Sequence, residues 1–383
     1  MQLHSTIIDN IGELCSQDWD ALAGAGQPFL RHAFLEALER HGCVGKRWGW
    51  RPRHLLLHQD GRLVAAMPQY LKNNGYGELV FDWDWAEAYR RSGLDYYPKL
   101  VAAVPYTPAT GARLLIAPDV ERRAVAPALI EAAIGHARES GVSSLHWLFP
   151  EGGDRDALAA QGLLIRRGCQ FHWHNRGYRN FEHYLEHFTS AKRKNIRRER
   201  RRVRESGVTL RQCYGEQLSA AQWQAVHRHY ASTFARLGGH ATLSLAFFRD
   251  ISQRLPGQVV IFLAEQDSQL VASAICLRDD DCLYGRHWGC DEHFDNLHFE
   301  LCYYQGLDYC IRENLRRFDP GAQGEHKISR GFLPTATWSA HWIADPRFRE
   351  AIADFLQREA RAMRDYMRTL DEHSPFKRVS SGT

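Results

Sequence analysis

Residues 259–290 read VVIFLAEQDSQLVASAICLRDDDCLYGRHWGC. Three short runs with β-branched and aromatic residues follow one another, with a turn at Asp267-Ser268 between the first two. Such runs predict strands: VVIFLAEQ first, then QLVASAICLRD and CLYGRHWGC as a pair. A helix of about Leu297 to Asn314 should follow, leading to the strand-like RRFDPG. Upstream, apolar residues at helical spacing predict helices of about Ser219 to Phe234 and around Leu245 to Arg254.

The first half has the same order. PRHLLLHQDGRLVAAMPQYLK (52–72) reads as a hairpin, because Asp60-Gly61 between apolar runs is a strong turn signal. A helix of roughly Ala33 to His41 precedes it. YGELVFDWDWAEAYRRSG reads as a strand entering an aromatic and acidic segment, and the Pro-rich YYPKLVAAVPYTPATGARLL follows. A helix of about Ala126 to Ser140 should end at Gly141, a residue suited to the cap, before the strand SSLHWLFP. Two copies of one α/β unit are expected, over 1–180 and 207–383, joined by a basic helical connector at 181–206. An amphipathic helix, FREAIADFLQREARAMRDYM, should close the chain before a disordered tail, SPFKRVSSGT.

Composition sets the class. In 383 residues, 44% hydrophobic and 25% charged, no apolar run approaches the ~20 residues that cross a bilayer. The start lacks a basic segment followed by an apolar one, so no secretory signal is expected. Nine scattered cysteines without a CxxC pair fit reduced thiols, and a soluble, cytoplasmic protein is the expectation. The net charge of +4 conceals a local stripe. KRKNIRRERRRVR, from Lys192 to Arg204, holds nine cations and one acid, which leaves about −4 for the remainder.

Motifs narrow the reading. FDWDWAEAY, YYPKL, VPYTP, KRKNIRRERR, YGRHWGCDEHF, LHFELCYYQGLDYCI and FDPGAQGEHKISRGFLP together resemble the FemAB-like family of N-acyltransferases over about Gln27 to Phe355. The resemblance implies tandem acetyltransferase-like (GNAT) domains, the second ending in a closing helix. It implies a transferase that moves an acyl or aminoacyl group onto an amine acceptor, such as a peptidoglycan precursor. Two alternatives stand beside it: an acetyl-CoA-dependent N-acetyltransferase for small molecules, and a non-catalytic protein that recognises a cell-wall precursor or tRNA.

In that fold the donor's pyrophosphate meets backbone amides in a turn after a strand, with small residues allowing close approach. Arg286-His287-Trp288-Gly289-Cys290-Asp291 stands in that place, with Tyr284 ahead of it, although Asp291 would repel phosphate. Tyr284, Arg286, His287, Trp288 and Gly289 are therefore the expected donor residues. A closer literal match, Arg236-Leu-Gly-Gly239-His-Ala241, lies between two helices and is set aside. Relatives that take aminoacyl-tRNA do without this signature. They are matched here by Phe318, Asp319, Gly321, Lys327, Gly331 and Phe332. Within this segment Glu325, His326 and Lys327 form the expected catalytic cluster, with Glu325 or His326 as base and Lys327, Arg286 or an amide holding the oxyanion. A surface ion pair of Glu325 with Lys327 is the plainer alternative.

For the acceptor, Asp82, Trp83, Asp84, Tyr97 and Lys99 combine carboxylates and aromatic walls that suit a cationic amine or a sugar; a half-buried strand end would look the same. On the basic helix, Lys192, Arg193, Lys194, Arg197, Arg198 and Arg201 suit the phosphates of tRNA or of a lipid-linked precursor. The helix has no aromatics for stacking bases, and a solvated linker face is the alternative. No tightly bound cofactor is expected, with acyl-CoA or aminoacyl-tRNA acting as donor substrate. Cys290, His293, His298 and Cys302 could make a four-ligand zinc set, but core packing explains His298 and Cys302 as well, and no metal is expected.

Overall fold

The computed structural model describes residues 3–24, 26–292, 294–322 and 324–377. Along the chain run β1 (Leu3–Ile8), α1 (Ser16–Ala23), α2 (His32–Arg40), β2 (Trp50–Pro52), β3 (His54–Gln59), β4 (Arg62–Met67), β5 (Gln69–Lys72) and α3 (Trp83–Arg91). Next come β6 (Lys99–Ala102), β7 (Leu115–Ile116), α4 (Arg122–Glu139), β8 (Ser144–Leu148), α5 (Gly152–Ala160), β9 (Leu164–His174), α6 (Phe181–Glu186) and α7 (Ser190–Glu205). The remainder is β10 (Thr209–Tyr214), α8 (Ala220–Arg236), α9 (Leu245–Arg254), β11 (Val259–Gln266), β12 (Gln269–Arg278), β13 (Cys282–Cys290), a helix α10 over 297–312, β14 (Arg317–Asp319), β15 (Leu333–Ile343) and α11 (Pro346–Glu372). The strands expected at 259–290 form where the turn residues place them; Asp267 and Ser268 both take positive φ in the β11–β12 turn.

Two compact units result, one from 1–169 with 336–365 and the other from 170–335 with 366–383. This division departs from the expected connector at 181–206. That segment is helical, but α6 and α7 belong wholly to the second unit, because Phe181, Tyr184, Leu185, Ile196 and Val203 are part of its core. In the first unit β15, β8, β6, β5 and β2 are neighbours in that order, and β1, β3, β4 and β7 make a separate four-stranded sheet. In the second unit the order is β10, β11, β12, β13, β14, β9. Each unit contains one parallel pair amid antiparallel neighbours: β6 with β8, and β13 with β14.

Two local expectations change. Asp82 to Glu87 lie at the start of helix α3 rather than on a strand. The tail is ordered as far as it is described: Phe376 bridges to Phe188, their rings 4.8 Å apart, and residues 378–383 lie outside the described residues.

Candidate functional site

The second unit opens at its parallel pair. β13 and β14 are in register only over Cys282 to Tyr284 and Arg317 to Asp319. Beyond this, the register of β13 with β12 shifts, so that Ile275 faces His287 while Cys276 faces Gly285, and Arg286 is the extra residue. A bulge of this kind bends and twists its strand. It marks where β13 parts from β14, and a pocket of about 410 Å³ fills the notch. Arg286, His287 and Trp288 line it from β13, His298, Cys302 and Tyr303 from α10, and His326 and Lys327 from the turn after β14.

The charges of this notch follow from burial. Lys327, only 2% exposed, donates to the Gly321 carbonyl at 2.7 Å, and burial lowers its ammonium pKa to about 8 against the pull of Asp319. Arg286 is lowered to about 10 by burial and stays cationic at neutral pH. Three imidazoles are shifted toward their neutral form. Burial brings His298 down to about 4 and His287 well below its usual value, while burial with Arg330 and Lys327 depresses His326. No carboxylate lines the notch among the described residues.

The expected catalytic cluster is divided by this geometry. His326 and Lys327 face the notch. Glu325 does not; its carboxylate is exposed and accepts from Tyr366 at 2.6 Å. The expected donor set divides too. Tyr284 is buried beside Asp279, to which its hydroxyl donates at 2.9 Å. Gly289 faces helix α8, where a Cβ would overlap the His229 carbonyl oxygen, so its small size serves helix packing rather than phosphate approach. The turn expected at Arg286–Asp291 is instead strand up to Cys290. The Asp291 N–H donates to Val271, and its carboxylate pairs with Arg228 at 2.9 Å. The Asp291 amide, which would face a pyrophosphate in that turn, is thus engaged by the Val271 carbonyl.

In the first unit, Asp82 and Lys99 meet in the interior rather than in an open acceptor cleft. Lys99 pairs with Asp82 and, at 2.8 Å, with Glu78, and all three side chains are buried. Tyr96 donates to Asp82 at 2.6 Å, and His146 joins this network to His341. Burial pushes the Glu78 carboxyl up, and Lys99 opposes it. Tyr97 is half-buried beside Gly75, whereas Trp83 is 64% exposed and Asp84 is also exposed. Glu87 is engaged by Arg90 and Arg91. Asp82 is thus already neutralised by a lysine, which removes it as a receptor for a cationic amine.

Helix α7 divides into two faces. Ile196, Glu199 and Val203 are buried. Glu199 accepts both Arg330 Nη2 contacts at 2.9–3.0 Å and the Tyr304 hydroxyl, while Arg200 reaches Glu300 at 3.0 Å. The single acid in the basic run therefore anchors the helix to α10 and to the turn that carries His326. On the outer face Arg197 pairs with Glu182 and Arg201 with Glu205, and Arg198 bonds to Asn195. Lys192, Arg193 and Lys194 form no ion pair among the described residues.

Sequence reasoning missed Tyr303 and the Arg330–Glu199 pair, and it weighed His298 only as a metal ligand. One signal was present, since LHFELCYY puts His298 and Cys302 four residues apart on one helix face. His293 lies outside the described residues, and no three potential metal ligands cluster among those described. No helix of the described chain is long and apolar enough to cross a membrane.

The paired α/β units and the splayed parallel strands define a protein of the tandem acetyltransferase-like class. The chain belongs to the FemAB-like family, described as peptidoglycan biosynthesis/recognition, whose profile matches residues 10–378. FemX shares the fold at a TM-score of 0.52 and 11% identity, with 92% of this chain and 100% of that one covered. So does the C-terminal domain described as that of a lysylphosphatidylglycerol synthetase from Agrobacterium fabrum (TM-score 0.53, 11% identity, 91% and 96% covered). L-PGS from Bacillus licheniformis matches at 0.54 and 11% identity, with 90% and 96% covered. No curated protein sequence matches the chain at a significant level.

Proposed function

We propose that the protein is an N-acyltransferase that draws an aminoacyl group from charged tRNA and passes it to the amine of a peptidoglycan precursor. The observation that carries this reading is the notch between β13 and β14, where Arg286 and Lys327 bring positive charge to a pocket without a lining carboxylate. The family description, peptidoglycan biosynthesis/recognition, favours an acceptor of the cell wall. Two features favour tRNA over coenzyme A. The amide of Asp291 is engaged by the Val271 carbonyl, and the carboxylate of the same residue would repel a pyrophosphate. The outer face of α7 also offers a row of cations that suits a phosphate backbone.

The chemistry asks for three things. The acceptor amine attacks the ester carbonyl, forming a C–N bond and a tetrahedral oxyanion. Lys327 in its neutral form takes the proton the amine releases, since an ammonium pKa near 8 leaves free base at neutral pH. Arg286 attracts the oxyanion or the adjacent phosphate. The C–O bond to the ribose then breaks, and the Lys327 ammonium returns its proton to the departing oxygen.

A second reading, acetyl transfer from coenzyme A, rests on the shape of the notch alone. Radiolabelled total aminoacyl-tRNA and radiolabelled acetyl-CoA, each supplied with a peptidoglycan precursor bearing a free lysine amine, separate the two. Label should pass to the precursor from tRNA, and Lys327→Met should slow transfer by ~10²–10⁴-fold. Transfer from acetyl-CoA alone would establish the second reading. Binding of both partners without transfer would make this a recognition protein.

A further inference from the structure

Tyr303 is nearly fully buried, yet it lines the notch, and its hydroxyl lies 2.8 Å from His326 Nε2. It stands in a π turn, Glu300–Tyr304, within α10. Such turns are rare and concentrate at functional sites. Around this turn, Glu300 and Tyr304 are held by α7 through Arg200 and Glu199, while His298, Cys302 and Tyr303 face the notch.

The imidazole it meets is exposed on one side, but close neighbours restrict its ring. Gly324, at φ 112°, lies so close to the His326 ring that a Cβ there would overlap it. Arg330 donates to the His326 carbonyl at 2.9 Å, and its guanidinium covers the Phe299 ring at 3.5 Å. The rings of Phe299 and His298 stand 5.9 and 6.2 Å from the imidazole. The charged and titratable groups facing it are Lys327 and Arg330 on its own turn and His298 and Tyr303 on α10; partial burial and the two cations lower its pKa.

A neutral imidazole has one N–H and one acceptor nitrogen. The Tyr303 hydroxyl, on a residue only 4% exposed, makes its one described hydrogen bond here and, as the donor in it, leaves Nε2 the acceptor. The ring proton must then sit on Nδ1. We propose that Tyr303 is a positioning residue that fixes His326 as the Nδ1–H tautomer and so turns it into a hydrogen-bond donor toward the oxyanion, not a base. Neutral imidazole is known to serve as such an electrophilic donor elsewhere. The inference rests on the notch being the site of transfer, and it reassigns His326 from the proton-accepting role expected from sequence.

The test uses the full-length protein labelled with ¹⁵N-histidine, with the His326 signals assigned by their loss in His326→Ala. At neutral pH long-range ¹H–¹⁵N correlation should show Nδ1 protonated and Nε2 bare in the wild type. Tyr303→Phe should abolish that preference. In transfer assays His326→Asn, whose amide N–H can stand where Nδ1–H stood, should retain at least ten times the rate of His326→Ala, and Tyr303→Phe should lower kcat with KM little changed. A protonated Nε2 in the wild type, or His326→Asn as inactive as His326→Ala, overturns the inference. Absence of transfer by the wild type would instead remove the proposed function, and the tautomer would still be decided by the nitrogen signals.

Discussion

Lys327 shows how far a residue's chemistry is set by its surroundings. A lysine in water keeps its proton until well above neutrality, but this one is enclosed against Gly321, and desolvation lowers its pKa to about 8. If its free amine is the base, the transfer rate should climb about tenfold per pH unit below pH 8 and level off above it. Lys327→Arg, which cannot lose its proton in this range, should abolish the climb. A wild-type rate that is flat or falls across pH 7–9 would assign Lys327 to holding charge instead. The sequence showed Glu325, His326 and Lys327 as one titratable group. Three consecutive residues on a tight turn cannot all face one pocket, and the backbone sends Glu325 toward Tyr366.

Strand β13 and helix α8 carry the corresponding lesson for elements. Gly289 was legible as a residue required to be small, but not for its reason. The His229 carbonyl of α8 occupies the space a side chain would need, and Thr233 of the same helix donates to the Trp288 carbonyl at 2.7 Å. Gly289→Ala should therefore push α8 away from the sheet and lower stability by about 1–3 kcal/mol in urea denaturation. Because Phe234 and Leu237 at the end of α8 line the notch, donor binding should weaken as well. An alanine variant of unchanged midpoint would mean that the helix shifts without cost. Helix α7 was legible as basic and helical, with Ile196 and Val203 as its apolar stripe. That Glu199 would fasten it beneath the turn carrying His326 was not, because the partners Arg330 and Tyr304 are more than a hundred residues away.

At the scale of the molecule, neither unit is a continuous stretch of chain. The first half supplies Gln170 to His174 of β9 to the second unit, and Ala336 onward of β15 returns to the first. A fragment spanning 207–383 would lack Phe171, Trp173, Tyr178, Phe181, Tyr184, Leu185, Phe188, Ile196 and Val203, all buried in the second unit's core. At about 1.5–3 kcal/mol for each large side chain, this loss matches or exceeds the ~5–15 kcal/mol that holds a domain folded. The fragment should show no cooperative urea transition, whereas the whole chain should; a sigmoidal transition from the fragment would refute this account of the core. What the sequence determined by itself was local: strands and helices whose periodicity and turn residues fix them within a few neighbours, the repeated α/β order, the basic stripe and the FemAB-like motifs. Tertiary structure alone decided which strands complete which unit, that Asp82 is spent on Lys99, and that Tyr303 meets His326. Hydrogen-bond pairing of strands and burial of charge depend on residues distant in sequence, and those meetings leave no periodic mark in the chain.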